Sequence, residues 1–360
     1  MRSYLLRLVL LLAFSLVARH AVCHEHGDHK VEEQTPANSS ESPTDPNAVT
    51  GSGDLTFRYR ADLSALPEAI NAGIVHAHGG FARAPSGEIY FGLEATGVVR
   101  VSADLTEKSI ICDAPEVRVG GLHNTTYVDQ LGGVVVLPDN GLGEIHAVNL
   151  QTGAVHTVGR PGVNEYYNDA ENPYAPTDTD TDPEGRLFVC DGYSPGKYVL
   201  NLELQSGEYG AAYFGGPVAK GEKTPGKFST NHGITYDPEA NAFWIADRER
   251  HWAQLISPEG DFIRGVDMAG AMVCDVDLIE WDGRRLMVAG CLKGADGDPG
   301  VVHLLQDEEI VSTLRPKLDL GLNLFDHVHN AIGVVVDGKL YILCYGWNPG
   351  CYAVLEHVKE

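Results

Sequence analysis

The sequence of 360 residues has few basic residues for its length. Lys and Arg total 26 against 50 Asp and Glu, so the formal net charge is −24 at pH 7. Nucleic acids and anionic membrane surfaces are bound by clustered Lys and Arg, so we expect neither as a partner. Internal runs of the ~18–20 apolar residues that span a membrane are also missing. The chain has 43% apolar residues and 41 glycines, which suits a large core with many tight turns.

The first residues have the pattern of a secretory signal peptide. Arg2 and Arg7 precede an apolar run over 8–17, and residues 21–23 provide a plausible cleavage site. We predict that residues 1–23 are removed. The mature protein is then expected to be secreted or periplasmic, free of the membrane after signal removal, and monomeric.

A polar segment follows the predicted cleavage site. It begins with His24, His26 and His29 among acidic residues, which together are a candidate site for a divalent transition metal or else a solvated tail. The remainder is rich in Ser, Pro, Glu and Asn. We therefore predict a disordered linker over 24–54.

The chain has seven cysteines, and the number that lie beyond Cys23 is even. An even number in an exported chain favours disulfides, and the absence of Cys-x-x-Cys disfavours a thiolate metal site. Cys344 and Cys351 flank a short turn, and Cys274 and Cys291 flank one hairpin. Both pairs are candidate disulfides across neighbouring strands.

A short pattern recurs six times along the rest of the chain. Each copy has a polar or histidine start, an apolar strand, an Asp/Pro/Gly turn and a second apolar strand. The copies begin at His78, His123, Thr177, His232, Asp275 and His329. Repeats of this kind without helical periodicity predict an all-β fold, a six-bladed β-propeller over residues 55–360.

The repeat also predicts a metal site. The start of the first strand and the end of the second lie at one face of such a fold, around the central channel. His123, His232 and His329 are each two blades apart, so three imidazoles should converge on the axis, as in an open zinc site. Zinc or another divalent transition metal would suit these ligands, with His78 as a candidate fourth. The alternative is that the histidines only satisfy hydrogen bonds in a polar channel.

Two residues at the ends of second strands are expected at the same face. Tyr193 and Arg248 belong to adjacent blades. A tyrosine near a divalent cation can act as a base, and an arginine can hold a carboxylate. The alternative is that both residues only end turns.

Three segments resemble a known family. PTDTDTDPEGRLFVCDGY, HGITYDPEANAFWIADRER and FDHVHNAI are similar to segments of the NHL-repeat propeller of peptidyl-α-hydroxyglycine α-amidating lyase. The resemblance implies that His123, His232 and His329 bind zinc, with calcium as a further, structural ion. It also implies that Tyr193 is the catalytic base and that Arg248 lies beside it.

The resemblance further implies an activity. The family cleaves the C–N bond of an N-acyl-α-hydroxyglycine, giving an amide and glyoxylate, so the implied substrate is a small or peptide-like molecule. Two positions differ from the family pattern. The family has a second arginine where residues 91–94 stand here, and these residues include no arginine. Arg83 is near in sequence but lies at the other end of the strand. Asn330 stands where the family has an acid.

Other functions compete with this interpretation. A periplasmic zinc- or copper-binding or metal-delivery propeller would use the histidine-rich tail for capture. An NHL interaction scaffold without catalysis would bind no metal. A calcium-dependent lactonase would use Glu, Asn and Asp ligands rather than three histidines.

Overall fold

The computed structural model describes residue 43 and residues 45–219 and 221–358. The predicted signal peptide over 1–23 and most of the predicted linker over 24–54 lie outside these residues. Within the described ranges, no helix has the length and apolarity needed to cross a membrane.

The regular structure begins inside the segment predicted as linker. Strand β1 (Thr50–Ser52) pairs antiparallel with β2 (Leu55–Tyr59). The predicted boundary between 54 and 55 therefore divides a hairpin, and the strands start ahead of it.

The other strands form antiparallel sheets in chain order. Blade 1 contains β3 (Phe81–Arg83), β4 (Ile89–Leu93), β5 (Gly97–Val101) and β6 (Lys108–Cys112). Blade 2 contains β7 (Thr126–Val128), β8 (Val134–Asp139), β9 (Glu144–Asn149) and β10 (Val155–Val158). Blade 3 contains β11 (Asp178–Thr181), β12 (Leu187–Cys190), β13 (Tyr198–Glu203) and β14 (Glu208–Gly215).

The second half of the chain repeats this arrangement. Blade 4 contains β15 (Asn231–Asp237), β16 (Ala242–Asp247), β17 (Trp252–Ile256) and β18 (Phe262–Asp267). Blade 5 contains β19 (Val273–Trp281), β20 (Arg284–Cys291), β21 (Val301–Gln306) and β22 (Glu309–Leu314). Blade 6 contains β23 (Asn330–Val336), β24 (Lys339–Gly346) and β25 (Cys351–Val358), followed by β2 and β1.

Helices are short and lie in the connections. The α-helices of the described residues are Ala61–Ser64, Glu68–Gly73, Glu165–Asn168 and Pro316–Leu320. The 3-10 helices are Ile74–His76, Pro115–Val117, Arg248–Arg250 and Ala295–Gly297. None of them provides a crossover between parallel strands.

The six sheets close into a ring. The first strands of successive blades contact one another, and β23 also contacts β3. Each sequence repeat corresponds to the first two strands of one blade, so the predicted six-bladed β-propeller is confirmed.

The core consists of six apolar layers, each between two consecutive blades. Between blades 3 and 4, for example, the rings of Phe188 and Phe243 lie 4.4 Å apart. Because both faces of each blade are covered, inner strands such as β8 are buried at every position. This explains why the repeats have continuous apolar runs rather than alternation.

Neither candidate disulfide is present among the described residues. Cys344 pairs with Ala353 and Cys351 with Gly346, so the two cysteines are diagonal neighbours. Diagonal Cα atoms lie roughly 7–8 Å apart, beyond the reach of about 6.8 Å that a disulfide allows. The other pair is separated because Cys291 belongs to the apolar layer between blades 4 and 5, whereas Cys274 faces the channel.

Candidate metal centre

The three predicted histidines lie at the mouth of the channel and are held in the same way. Each Nδ1 is within hydrogen-bond distance of a main-chain carbonyl in the next blade. The pairs are His123 with Thr177 at 2.5 Å, His232 with Cys274 at 2.9 Å and His329 with Gly79 at 2.9 Å. A carbonyl oxygen only accepts, so Nδ1 must carry the proton and Nε2 has the free lone pair. Histidine ligands of metals are fixed in this manner.

The surroundings keep these imidazoles neutral. All three side chains are fully buried. Burial lowers the pKa of His123, His232 and His329 well below the usual range. Nε2 of His329 has no hydrogen-bond partner among the residues that the structure describes. A buried neutral nitrogen without a partner fits a metal ligand.

The ligand atoms fall into two groups that share one histidine. Those of His78, His123 and His329 lie within 4.8 Å of one another, and so do those of His232, Cys274 and His329. The rings of His123 and His232 are 4.6 Å apart between centroids. The residues present therefore fit a transition-metal ion, and the two groups together contain the three predicted histidines.

Tyr193 connects the histidines with Arg248. Its hydroxyl lies 3.2 Å from Nε2 of His123 and 3.0 Å from Nε2 of His232. Nη1 of Arg248 donates to the same hydroxyl over 3.1 Å. Burial raises the pKa of Tyr193, and the charge of Arg248 opposes this rise. The phenol hydroxyl thus lies against Nε2 of two of the three predicted ligands and against the guanidinium of Arg248.

A buried aspartate positions the loop that carries Tyr193. Asp191 directly follows β12, the second strand of blade 3, and is fully buried. It accepts hydrogen bonds from the hydroxyl of Tyr167 at 2.5 Å, from the amide of Ala175 at 2.8 Å and from the Ser194 hydroxyl. The Asp-Gly-Tyr segment is therefore fixed on both sides of the tyrosine.

Asp247 has the same place in blade 4 and positions Arg248. It accepts from the amides of Ser229 and Thr230, both at 2.9 Å. The amide of Arg248 donates to the carbonyl of Thr230 at 3.0 Å. The two aspartates, which suit turns by themselves, here also hold the side chains at the channel.

His78 lies over the ring of histidines. Its ring is 4.7 Å from that of His123 and 4.8 Å from that of His329. On its other side it stacks on Trp347 at 5.2 Å. Burial lowers the pKa of His78 to about 3. The structure thus places the predicted fourth ligand next to the other histidines. His78 is half-buried, whereas the other three are fully buried.

A polar layer lies one residue further into the channel. Asp178 and Asp275 are carboxylates of this layer, and Nδ2 of Asn330 donates to Asp275 at 2.7 Å. Burial raises the pKa of both carboxyls well above the usual range, and the charge of Asp275 adds to this for Asp178. The acid that the amidating family has at Asn330 is thus replaced by an amide next to an acid from blade 5. The structural calcium stays a prediction.

Arg83 lies away from the histidine end of the channel. Its guanidinium pairs with Asp277 at 3.0 Å and donates to the carbonyl of Leu278. The second strand of blade 1 ends at Leu93 and is followed by Glu94, whose pKa is raised by burial. No arginine of blade 1 therefore stands beside Tyr193.

Sequence reasoning missed two residues of the site. Cys274 was assigned to a disulfide, although a repeat alignment shifted by one residue would have placed it at the level of the histidines. Trp347 directly follows the second strand of blade 6, in the same connection in which blade 3 has Tyr193. Comparison of the strand ends would have found it.

Comparisons with known proteins add the fold alone. No protein-family model and no curated protein matches the sequence. Among solved structures, the chain is similar to a streptogramin B lyase, with 12% identity over 78% of this chain and 93% of that chain and a TM-score of 0.50.

Two further structures are similar at lower scores. A catalytically inactive virginiamycin B lyase from Staphylococcus aureus with quinupristin has 11% identity, coverage of 78% and 95%, and a TM-score of 0.49. A nidogen–laminin complex has 13% identity, coverage of 76% and 94%, and a TM-score of 0.48. The resemblance to amidating lyases rests on the sequence segments alone.

Proposed function

We propose that this protein is an exported, zinc-dependent lyase that cleaves the C–N bond of an α-hydroxyglycine-like substrate. The observation that carries the proposal is the position of the Tyr193 hydroxyl, which contacts His123, His232 and Arg248 together. The site thus offers a candidate metal ligand set, a proton acceptor and a cation, which are groups that this reaction can use. The chemistry of the site, rather than the fold, is the argument.

The residues have distinct roles in the proposed site. His123, His232 and His329 would hold the zinc ion, with His78 as a further candidate ligand. A bound zinc ion supplies Lewis-acid polarisation of the substrate hydroxyl and lowers the pKa of nearby hydroxyl groups.

Tyr193 acts as the base. Its phenolate takes the proton of the hydroxyl on the α-carbon, and the O–H bonding pair becomes the second bond of the new carbonyl. The C–N bond breaks with its electron pair on nitrogen, and nitrogen takes the proton from Tyr193. The products are the amide and glyoxylate, and atoms and charge balance without another reactant. Arg248 donates to the phenolate oxygen and holds it in place.

The propeller comparison is compatible with this proposal. One similar solved structure is described as a streptogramin B lyase, so the fold does accommodate lyase chemistry. At 12% identity, it says nothing about the substrate of this chain.

The experiment measures metal content and turnover in matched variants. Wild type should contain one zinc equivalent and convert an N-acyl-α-hydroxyglycine to glyoxylate. His329→Ala should lose both properties. Tyr193→Phe should keep zinc but lose about 10²–10⁴-fold in turnover, the typical contribution of a general base.

Tyr352→Phe is the control for Tyr193→Phe. Tyr352 is buried, and its hydroxyl has no hydrogen-bond partner among the described residues, so the variant should match wild type. Wild-type turnover in Tyr193→Phe, or equal zinc in His329→Ala, would contradict the proposal.

Metal handling is the second candidate function. It is favoured by the thiol of Cys274 next to the histidines, together with the histidines of the tail. Deleting 24–30 should then slow metal transfer to an acceptor chelator and leave lyase activity unchanged. If transfer is unaffected, the tail has no such role.

A further inference from the structure

Cys274 occupies an irregular position on the channel wall. In blade 5, Val273 pairs with Cys291 and Asp275 with Gly290, so Cys274 is an extra residue between two pairs. A β-bulge of this kind redirects a side chain. The Cys274 sulfur lies within 4.8 Å of ligand nitrogens of His232 and His329.

We propose that Cys274 is a metal ligand and that His232, Cys274 and His329 form a mixed nitrogen–sulfur site for a thiophilic divalent cation. On binding, the thiol proton leaves to solvent and a metal–sulfur bond takes its place. The inference rests on the proposed function only in placing a cation in the same channel. It holds equally for a metal-handling protein.

An independent observation points to a ligand at this position. His329 is fully buried and its Nε2 has no partner among the described residues, while its Nδ1 is held by the carbonyl of Gly79. The orientation of His232 is fixed by the main chain of Cys274 itself, over 2.9 Å. The bulge therefore positions two of the three proposed ligands: the side chain of Cys274 itself, and His232 through the Cys274 carbonyl.

The spacing is close to that of a bound ion. Tetrahedral zinc has Zn–N distances of about 2.0–2.1 Å and Zn–S distances of about 2.3 Å, so two nitrogens and one sulfur around it are roughly 3.3–3.6 Å apart. The three ligand atoms here lie within 4.8 Å of one another, so they would approach one another by no more than roughly 1.5 Å on binding.

The chemistry of a sulfur ligand sets the class of ion. Burial raises the pKa of the Cys274 thiol to about 12, and the nearby charge of Arg248 opposes this rise. Sulfur ligands select Zn²⁺ and softer ions over Mg²⁺, Ca²⁺ and Mn²⁺, which prefer oxygen. The site should therefore take Zn²⁺ or Co²⁺ and reject Mg²⁺.

The test uses Co²⁺ as a spectroscopic probe with the full mature chain. Wild type should show intense sulfur-to-cobalt charge-transfer absorption in the near ultraviolet, and Cys274→Ser should not. Cys344→Ser is the matched control, because Cys344 is equally buried but belongs to the apolar layer between blades 5 and 6. Losing an outer partner of a metal site costs about 10–100-fold in affinity, so Cys274→Ser should weaken Zn²⁺ binding by at least that factor.

X-ray absorption of zinc-loaded wild type serves as a second measurement, since it needs no folded variant. It should show one sulfur scatterer. A Co²⁺ complex without the sulfur band, or zinc with nitrogen and oxygen scatterers alone, would overturn the inference and leave the histidine lyase site standing. Sulfur ligation without glyoxylate formation would instead uphold this inference and refute the proposed lyase.

Discussion

The closure of the propeller depends on one buried carboxylate. Glu356 lies on β25 and is 2% exposed. It is bound by Arg58 and Arg60, which belong to or follow β2, and by Lys339 of β24. Since β2 is the strand by which the N-terminal part joins blade 6, we predict that Glu356→Gln loosens this closure and lowers stability.

The magnitude follows from the pKa of Glu356. Burial by itself would raise this pKa, but the hydrogen bonds and charges of Lys339, Arg58 and Arg60 lower it from 4.5 to about 2. Lowering the pKa from 4.5 to about 2 corresponds to ~3 kcal/mol. The cationic side chains are 27–48% exposed, so solvent screening reduces the expected loss to roughly 2 kcal/mol.

The sign of the pH dependence is fixed by the direction of the shift. A carboxyl with a lowered folded-state pKa stabilises the protein above about pH 4.5, and the contribution disappears as the pH falls towards 2. The assay is urea unfolding of wild type and Glu356→Gln from pH 7 to pH 3. The difference in the free energy of unfolding should shrink to less than half by pH 3.

Glu308→Gln is the control, because Glu308 forms an ion pair with Arg264 at an exposed site. It should change stability by less than about 0.5 kcal/mol. A Glu356→Gln difference that is as large at pH 3 as at pH 7 would refute the electrostatic reasoning.

Two further predictions concern the site. Asp191→Asn should lower turnover while zinc content stays at one equivalent, because an amide cannot accept all three hydrogen bonds that hold the Tyr193 loop; zinc loss in this variant would instead assign Asp191 to the metal. Removing the metal with dipicolinate should lower the melting temperature, and free zinc at about 100 times its Kd should restore about 2.7 kcal/mol; an unchanged melting temperature by calorimetry would argue against a bound ion.

The fold was predictable because its repeating unit is local. Each repeat contains two strands joined by a short turn, and the pattern is complete within one blade. The sixth blade could not be completed from sequence in this way, since β2 pairs with β25 across almost the whole chain, as in the pair Thr56 and Val358. The hairpin at 50–59 was therefore placed partly in a linker.

The histidines were predictable from repeat spacing, whereas Cys274 was not. Its role depends on the register between β19 and β20, which shifts between Val273 and Asp275. The sequence repeat places Asp275 at the start of the first strand of blade 5, so it leaves out Cys274, the extra residue of the bulge. The side chain that the bulge redirects into the channel was consequently assigned to a disulfide.

The alternation around the ring explains how six similar blades make one asymmetric site. At the level of the metal centre, the even blades supply His123, His232 and His329, and the odd blades supply Gly79, Thr177 and Cys274. Each odd position is small enough to leave room for the neighbouring imidazole and offers its carbonyl to hold it. Gly79 and Thr177 support the imidazoles through their carbonyls, and the Thr177 hydroxyl also donates to the carbonyl of Asn231, next to His232. Cys274 alone adds a soft ligand atom, so the proposed sulfur site breaks the threefold pattern on the side of blades 4 to 6.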